Sequence, residues 1–360
     1  MEQTIRVHLG ANSYDIQIAR GLLRRAGERI LPVASGRRIH LLTDSHVGPL
    51  YADAVSASLR AEGFAASVQI LPAGEPTKRL ESLSQVWTAM IAAGITRKDM
   101  LVALGGGVIG DLGGFAAATY LRGIPFVQIP TSLLAQVDSS VGGKVAIDLP
   151  EGKNLAGAFY QPKRVLIDPD ALDTLPDALF NDGMGEVIKY GLTFSRPLFD
   201  LLKAAEGRDG LRPHLEQVIC QCVDIKRQVV ERDERDTGER MLLNFGHTLG
   251  HAIEAAQQFG GLSHGAAVGV GMHLITRLSE SMSLTRPGTA DEISQILRAY
   301  HMPDNVSAAL CAPMLRAISK DKKNLNATLN VILLREVGAG YIHGSTAAFF
   351  QDVRQYLAEE

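Results

Sequence analysis

The chain has 360 residues, 46% of them hydrophobic and 21% charged, with a formal net charge of −3. That length predicts two domains, and the near-neutral charge excludes a general attraction to nucleic acid or to a membrane surface. No apolar run approaches a membrane span, MEQTIRVHLG alternates like a strand and not like a signal peptide, and the three cysteines, Cys220, Cys222 and Cys311, make no disulfide framework, so a cytoplasmic location is expected.

Residues 4–9 and 14–18 alternate apolar and polar side chains and predict a hairpin-like pair of strands. IHLLT at 39–43 predicts a strand ending at Asp44, helical spacing follows over 48–62, and VQIL at 68–71 predicts the next strand. AGEPTK at 73–78 reads as a turn by its glycine and proline, and residues 80–93 have helical spacing. MLVAL at 100–104, FVQI at 126–129 and VLID at 165–168 predict buried strands. Strands alternating with helices predict a parallel sheet covered on both faces.

Six of the ten residues from Gly105 to Gly114, in LGGGVIGDLGG, are glycine. The run follows a buried strand and opens a helix, where glycines let backbone N–H groups approach a pyrophosphate and the helix N-terminus favours negative charge. Gly105, Gly107 and Gly110 satisfy G-x-G-x-x-G, but on a later strand than the first βαβ unit and with no acid about 20 residues on at a strand end. Asp44 is available for a ribose hydroxyl instead. The alternative is that the glycines only permit tight helix–sheet packing. PTSLLAQVDSSVGGKVAIDLPEGKN at 130–154 then carries Thr131, Ser132, Asp138, Lys144, Lys153 and Asn154. Hydroxyls after a strand suit a cofactor, and lysines in glycine-containing loops suit a phosphate or carboxylate, although a lysine is ordinarily a solvated surface residue.

After Pro169 the spacing turns helical. Pro176 and Asp177 open a helix that includes GMGEVIKYG at 183–191, where Glu186 lies among Met184, Val187 and Ile188. A carboxylate buried there needs a partner, and a metal would serve; the alternative is a surface pair with Lys189, three residues on. Residues 211–235 predict a long helix carrying Lys226, 265–283 a buried one, 328–334 a late strand after the DKKN turn at 321–324, and 346–358 a closing helix. ERMLLNFGHTLGHAIEAAQQFGGLSHG at 239–265 gathers three of the ten histidines beside Arg240 and Asn244. Helical spacing from Met241 to Gln258 puts His247 and His251 four apart on one face, a metal pair to which His264 is either a third ligand or a bystander after the break at Gly260–Gly261. On one continuous helix Arg240 stands two turns before His247, about 10 Å away along the axis.

Taken in order, AGEPTK, LGGGVIGD, PTSLLAQVDSSVGGK, EGKN, GMGEVIKYG and NFGHTLGHAIE followed by HG resemble the 3-dehydroquinate synthase family of sugar-phosphate cyclases over nearly the whole chain. The resemblance implies an α/β fold, with an N-terminal Rossmann-like parallel-sheet NAD domain over 1–170 and a mainly α-helical C-terminal metal- and substrate-binding domain over 171–360. It implies a lyase of the shikimate pathway, which supplies aromatic amino acids. That lyase converts 3-deoxy-D-arabino-heptulosonate 7-phosphate to 3-dehydroquinate and phosphate, uses NAD catalytically and holds Zn2+ or Co2+. Transient oxidation makes a ketone that acidifies the neighbouring C–H, phosphate is eliminated, the hydride returns, and ring opening and aldol closure follow.

Carried over residue by residue, the resemblance implies Glu186, His247 and His264 as metal ligands, which moves His251 from the metal pair of the spacing argument to the substrate. It implies NAD held by Asp44, by Ala73, Gly74, Glu75, Pro76, Thr77 and Lys78, and by Gly106, Gly107, Val108, Ile109, Gly110 and Asp111. Thr131, Ser132, Lys144, Lys153, Ala171, Leu172, Asp173 and Thr174 complete that set. Substrate residues are Asp138, Lys144, Lys153, Asn154, Lys189, Lys226, Arg240, Asn244 and His251, with Lys322 of the DKK turn meeting the carboxylate. Arg122 resembles the arginine that a neighbouring subunit lends to the phosphate, which implies a homodimer. Three departures stand out: His46 in place of a smaller polar residue, Ser132 in place of threonine, and Gly185 in place of alanine, a change expected to loosen the helix before Glu186. Rival readings are a 2-deoxy-scyllo-inosose or 2-epi-5-epi-valiolone synthase, a metal-dependent polyol dehydrogenase, and a non-catalytic NAD- or sugar-phosphate-binding protein. Arg240, Lys226 and Asn244 together argue for a carboxylated substrate.

Overall fold

The computed structural model describes residues 2–258, 260–320 and 329–359. The chain divides into two compact units: Met1–Pro176 with Lys226–Arg235, and Asp177–Ile225 with Asp236–Glu360. A single division at 170/171 does not include the return of residues 226–235 to the first unit.

In the first unit the strands are β1 (Gln3–Val7), β2 (Tyr14–Ile18), β3 (Arg38–Asp44), β4 (Ala65–Leu71), β5 (Met100–Gly105), β6 (Phe126–Pro130), β7 (Lys144–Leu149), β8 (Gly152–Phe159) and β9 (Arg164–Ile167). The helices are α1 (Ala26–Ile30), α2 (Asp53–Ala61), α3 (Leu80–Ala92) and α4 (Gly107–Thr119). Seven strands form one sheet in the order β1-β2-β9-β6-β5-β3-β4. β1 and β2 pair antiparallel, and β2, β9, β6, β5, β3 and β4 pair parallel. Every residue of β5 and β6 is buried, as continuous apolar runs in a sheet covered on both faces require.

The chain leaves β3 toward β4 on one side and later enters β5 on the other, so the strand order reverses between β3 and β5. Ligands of open parallel sheets bind at the carboxyl ends of such strands. Asp44 ends β3 and Gly105 ends β5. The glycine run therefore stands at the switch point although it is not in the first βαβ unit. The antiparallel β7–β8 hairpin, which periodicity did not find, carries Lys144, Lys153 and Asn154. Over 48–62 a π-helical turn, Gly48–Ala52, precedes α2 and replaces the single expected helix.

The second unit holds α5 (Asp177–Phe194), α6 (Arg196–Ala205), α7 (Arg208–Leu211), the first part of α8 (Leu215–Arg232), α9 (His247–Ala256), α10 (His264–Ser281), α11 (Thr289–Ala299) and α12 (Cys311–Lys320). An antiparallel hairpin, β10 (Leu329–Leu334) with β11 (Gly340–Ser345), completes it. α10 is its centre and packs on both α9 and α5. Glycines make both crossings close. A Cβ on Gly271 would lie 2.1 Å from the Gly246 carbonyl oxygen, and one on Gly265 would lie 1.8 Å from the Asp182 carbonyl oxygen. A Cβ on Gly185 would lie 2.6 Å from the Gly265 carbonyl oxygen. Glycine ahead of Glu186 is thus a packing requirement of this crossing as well as a weaker helix former.

Two expectations need correction. The helix expected from Met241 to Gln258 is broken: Glu239–Asn244 is a 3-10 turn, Gly246 takes the left-handed conformation at φ 79°, and α9 starts at His247. Arg240 and His247 therefore do not share one helix face, because a left-handed residue resets the direction of the chain. The closing segment is a 3-10 helix over Ala347–Tyr356.

Candidate active site

At the carboxyl end of β5, Gly106 caps α4 without a side-chain hydrogen bond. The first-turn amides of α4 are therefore available to an anion at the positive end of the helix. Five of the six glycines divide by what a side chain would meet. A Cβ on Gly110 would lie 2.8 Å from Gln128 Oε1, one on Gly113 3.0 Å from the Ala103 Cβ, and one on Gly114 2.4 Å from Val145 Cγ1. These three serve helix–sheet packing. A Cβ on Gly106 or Gly107 would instead meet the hydroxyls of Ser132 and Ser139, at 3.4 and 3.2 Å. Packing therefore accounts for Gly110, Gly113 and Gly114 and leaves Gly106 and Gly107 to the expectation of a phosphate cradle.

Around this end stand the other expected nucleotide residues. Asp44 Oδ1 accepts the His46 and Val47 amides at 2.9 Å each; His46 itself is exposed and takes part through its backbone. Ala73–Lys78 wraps over a 3-10 turn, Glu75–Thr77, after Gly74 at φ 101°. Thr77 Oγ1 donates to the Pro72 carbonyl at 2.7 Å. Lys78 is buried, and its Nζ donates to Asp111 Oδ2 at 2.6 Å and Asn154 Oδ1 at 2.5 Å. Burial opposes the charge on Lys78, but Asp111, with Glu75 and Asp148, more than offsets it and raises its pKa. Burial raises Glu75, against the ammoniums of Lys78 and Lys153. The Thr131 amide donates to Gly105 O at 3.0 Å and Ser132 Oγ accepts the Ala135 amide at 3.3 Å, so a hydroxyl suffices there. Pro169–Thr174, which contains Ala171, Leu172 and Asp173, is a 3-10 turn; Thr174 Oγ1 lies 2.5 Å from the Tyr51 hydroxyl.

Lys226, expected in the second domain, belongs to the first unit. Its Nζ lies 3.0 Å from Asp138 Oδ1 and donates to the Asp138 carbonyl at 2.6 Å. Lys144 and Lys153 are exposed on the hairpin, and Asn154 holds φ 58° with its amide on Asp148 Oδ1 at 2.7 Å. Arg122 is exposed in a turn where Leu121, Arg122 and Gly123 all have positive φ, at 51°, 70° and 116°.

In the second unit, Glu186 on α5, His247 at the start of α9 and His264 at the start of α10 converge. Their ligand atoms lie within 4.8 Å of one another. Glu186 Oε1 is buried with no hydrogen bond, 3.4 Å from His247 Nε2 and 3.5 Å from His264 Nε2. Ligands at about 2.0–2.2 Å from a tetrahedral ion stand about 3.3 Å apart, so this donor set fits Zn2+ or Co2+. The Phe245 carbonyl, 3.1 Å from His247 Nδ1, can only accept, so Nδ1 carries a proton and Nε2 is the nitrogen left for an ion. The other edge of the His264 ring, Nδ1, lies 3.5 Å from Glu254 Oε2. Burial would raise the Glu186 carboxyl, but the Lys189 ammonium and His247 hold it well below the usual range. Burial likewise opposes charge on His264, yet Glu186 and Glu254 push it up to about 10. Lys189 Nζ donates to Glu186 Oε2 and lies over the Tyr190 ring.

His251, four residues after His247, falls in a second group with Glu254 and His264, whose possible ligand atoms also lie within 4.8 Å. Arg240 is buried and Asn244 exposed on the 3-10 turn before the break. Lys322 lies outside the described residues. The histidine motif assigns Glu254 no role; a carboxylate in the apolar stretch AIEAA is the signal that points to one.

A parallel sheet with an open helix N-terminus at its switch point, and a helical unit with two imidazoles and a carboxylate on one point, define a nucleotide- and metal-dependent enzyme. Residues 68–182 match the family described as 3-dehydroquinate synthase N-terminal, and 183–324 match 3-dehydroquinate synthase C-terminal. A 3-dehydroquinate synthase of Clostridium beijerinckii is 48% identical over 344 residues, 96% of this chain and 98% of that one. The chain belongs to the 3-dehydroquinate synthase family. Among solved structures, 2-deoxy-scyllo-inosose synthase complexed with carbaglucose-6-phosphate, NAD+ and Co2+ superposes with TM-score 0.87 at 24% identity, covering 99% of this chain and 100% of that one. The 2-epi-5-epi-valiolone synthase of Streptomyces hygroscopicus subsp. jinggangensis 5008, with NAD+ and Zn2+ bound, superposes with TM-score 0.83 at 26% identity, covering 95% and 96%.

Proposed function

We propose that the protein is an NAD- and divalent-metal-dependent lyase that converts 3-deoxy-D-arabino-heptulosonate 7-phosphate to 3-dehydroquinate and phosphate. The observation that carries this reading is 48% identity to a 3-dehydroquinate synthase across 96% of the chain, with Glu186, His247 and His264 gathered on one point. When bound, NAD supplies a reversible hydride acceptor and the metal a Lewis acid for substrate hydroxyls.

The residues of the chain divide the remaining work. The open N-terminus of α4 and the glycines Gly106 and Gly107 take the pyrophosphate, and Asp44 and the Glu75–Lys78 turn take the nucleoside. Lys144, Lys153 and Asn154 grip the substrate phosphate, Arg240 and Lys226 the carboxylate, and His251 and Lys189 the hydroxyl side. Arg240 is suited to a carboxylate because its planar fork makes two parallel hydrogen bonds. Arg122 serves a second subunit: three successive positive φ values hold it in a strained, exposed turn, the kind of backbone kept for function. The enzyme is therefore read as a homodimer. No helix of the described residues is long and apolar enough to cross a membrane, and we place the reaction in the cytoplasm.

The test is phosphate release from heptulosonate phosphate by purified protein. Phosphate should appear in many-fold excess over enzyme while NADH absorbance stays flat, and chelation should stop it. Steady NADH build-up on a polyol would make the protein a dehydrogenase, and preference for glucose 6-phosphate or sedoheptulose 7-phosphate would make it one of the other cyclases. Arg240→Lys should lower kcat/KM for heptulosonate phosphate about tenfold to a hundredfold, because a charge-assisted bond of about 1.5–3 kcal/mol is lost.

A further inference from the structure

The two imidazoles of the metal set are anchored from behind in different ways. His247 Nδ1 is met by the Phe245 carbonyl at 3.1 Å, which leaves Nε2 for the ion. At His264 the group facing Nδ1 is instead the Glu254 carboxylate at 3.5 Å, from the last turn of α9. The Glu254 side chain is 6% exposed. Ligating histidines are commonly held by a carboxylate or carbonyl on the nitrogen that does not bind metal, which fixes the tautomer and strengthens the ligand.

Glu254 also belongs to a possible ligand group with His251 and His264. The two groups use opposite edges of one ring, since Glu186 faces Nε2 and Glu254 faces Nδ1. One ion cannot bind both edges. The edge turned to Glu186 is also the one served by His247 Nε2 and by the buried Glu186 oxygen that has no hydrogen bond, whereas His251 on the other side is exposed.

We propose that Glu254 is a positioning residue of the metal centre: its carboxylate accepts the Nδ1 proton of His264, turns Nε2 to the ion, and adds a second negative charge behind the ligands. This rests on the reading of Glu186, His247 and His264 as ligands, and the experiment separates the two. Chelated full-length protein is titrated with Co2+ against a competing chelator, and the visible spectrum of the bound ion is recorded. Glu254→Ala should raise the Co2+ Kd about 10- to 100-fold and shift the spectrum. Glu254→Gln keeps the shape and an acceptor but not the charge, and should raise it by less, about tenfold at most. His251→Ala should bind Co2+ as the unaltered protein does, and His247→Ala should lose it. A wild-type Kd and spectrum in Glu254→Gln overturns the proposal however Glu254→Ala folds, and so does an equal loss of Co2+ in His251→Ala, which would make Glu254 a ligand. Retention of Co2+ by His247→Ala would instead bring down the ligand reading itself.

Discussion

At the carboxyl ends of β3 and β5 the first unit offers backbone amides, hydroxyls and glycines, whereas the second unit offers side chains carried on three helices. The difference is physical. A pyrophosphate is large, diffuse in charge and satisfied by many weak donors, so a helix N-terminus and a close backbone are enough. A divalent ion needs few donors at fixed short distances, and those must be held by the packing around them. The nucleotide region should therefore degrade gradually under substitution, and the metal region abruptly.

The largest expected effect is at the metal. Glu186→Gln or His264→Ala should cost more than the roughly 10- to 100-fold expected of an outer partner and leave the purified protein without metal, while its NAD Kd stays at the wild-type value. Metal content by elemental analysis, beside NAD titration, checks this. Concurrent loss of NAD binding would remove the contrast.

Lys78→Met comes next. It leaves Asp111, 19% exposed, without its ammonium and should cost about 3 kcal/mol of stability by denaturant midpoint. NAD affinity should fall with it, and metal content should not.

The glycines sharpen the comparison within the first unit. Gly114→Ala drives a Cβ to 2.4 Å from Val145 Cγ1 and 3.1 Å from Phe126, and should cost about 1–3 kcal/mol with little change in NAD Kd. Gly106→Ala meets Ser132 Oγ at an ordinary 3.4 Å. It should change stability by less than about 0.5 kcal/mol and weaken NAD. Equal behaviour of the two variants in both assays would end the division between packing and cradle glycines.

The last effect is one of pH. His264 is raised from 6.5 to about 10, so its contribution to stability is fully present below pH 6.5 and lost as pH rises through about 10. Glu186 is depressed, so its contribution is present above its usual 4.5 and lost as pH falls toward the depressed value. The chelated protein should therefore lose Tm between pH 7 and pH 10, and the zinc-loaded protein less, because a bound ion holds the ligands in place of the proton.

Much of both units was legible in the residues because its signals are local. Buried parallel strands are apolar runs, the glycine-rich turn follows one of them, and motifs such as GMGEVIKYG and NFGHTLGHAIE stand unbroken in the chain. What local reading missed was set by distant contacts. The β7–β8 hairpin buries only Val145 and Ile147 and so lacks a clean apolar period. The helix through Arg240 and His247 looked continuous because Leu243, His247 and His251 keep helical spacing. Gly246 is pulled into the left-handed conformation where α9 crosses α10, with Gly271 against its carbonyl.

By itself, the sequence determined the residue types of both regions, the order of the strands along the chain and the resemblance that names the family, since each is written in consecutive residues. Only the tertiary structure decided which side chains meet. Spacing paired His247 with His251, because positions four apart share a helix face. The fold gathers His247 with Glu186 and His264, from helices that begin 70 and 17 residues away from its own. It also returns Lys226 to Asp138 and turns Glu254 toward the back of His264. Such meetings depend on helix crossings that glycines permit, and no local period records where two helices will cross.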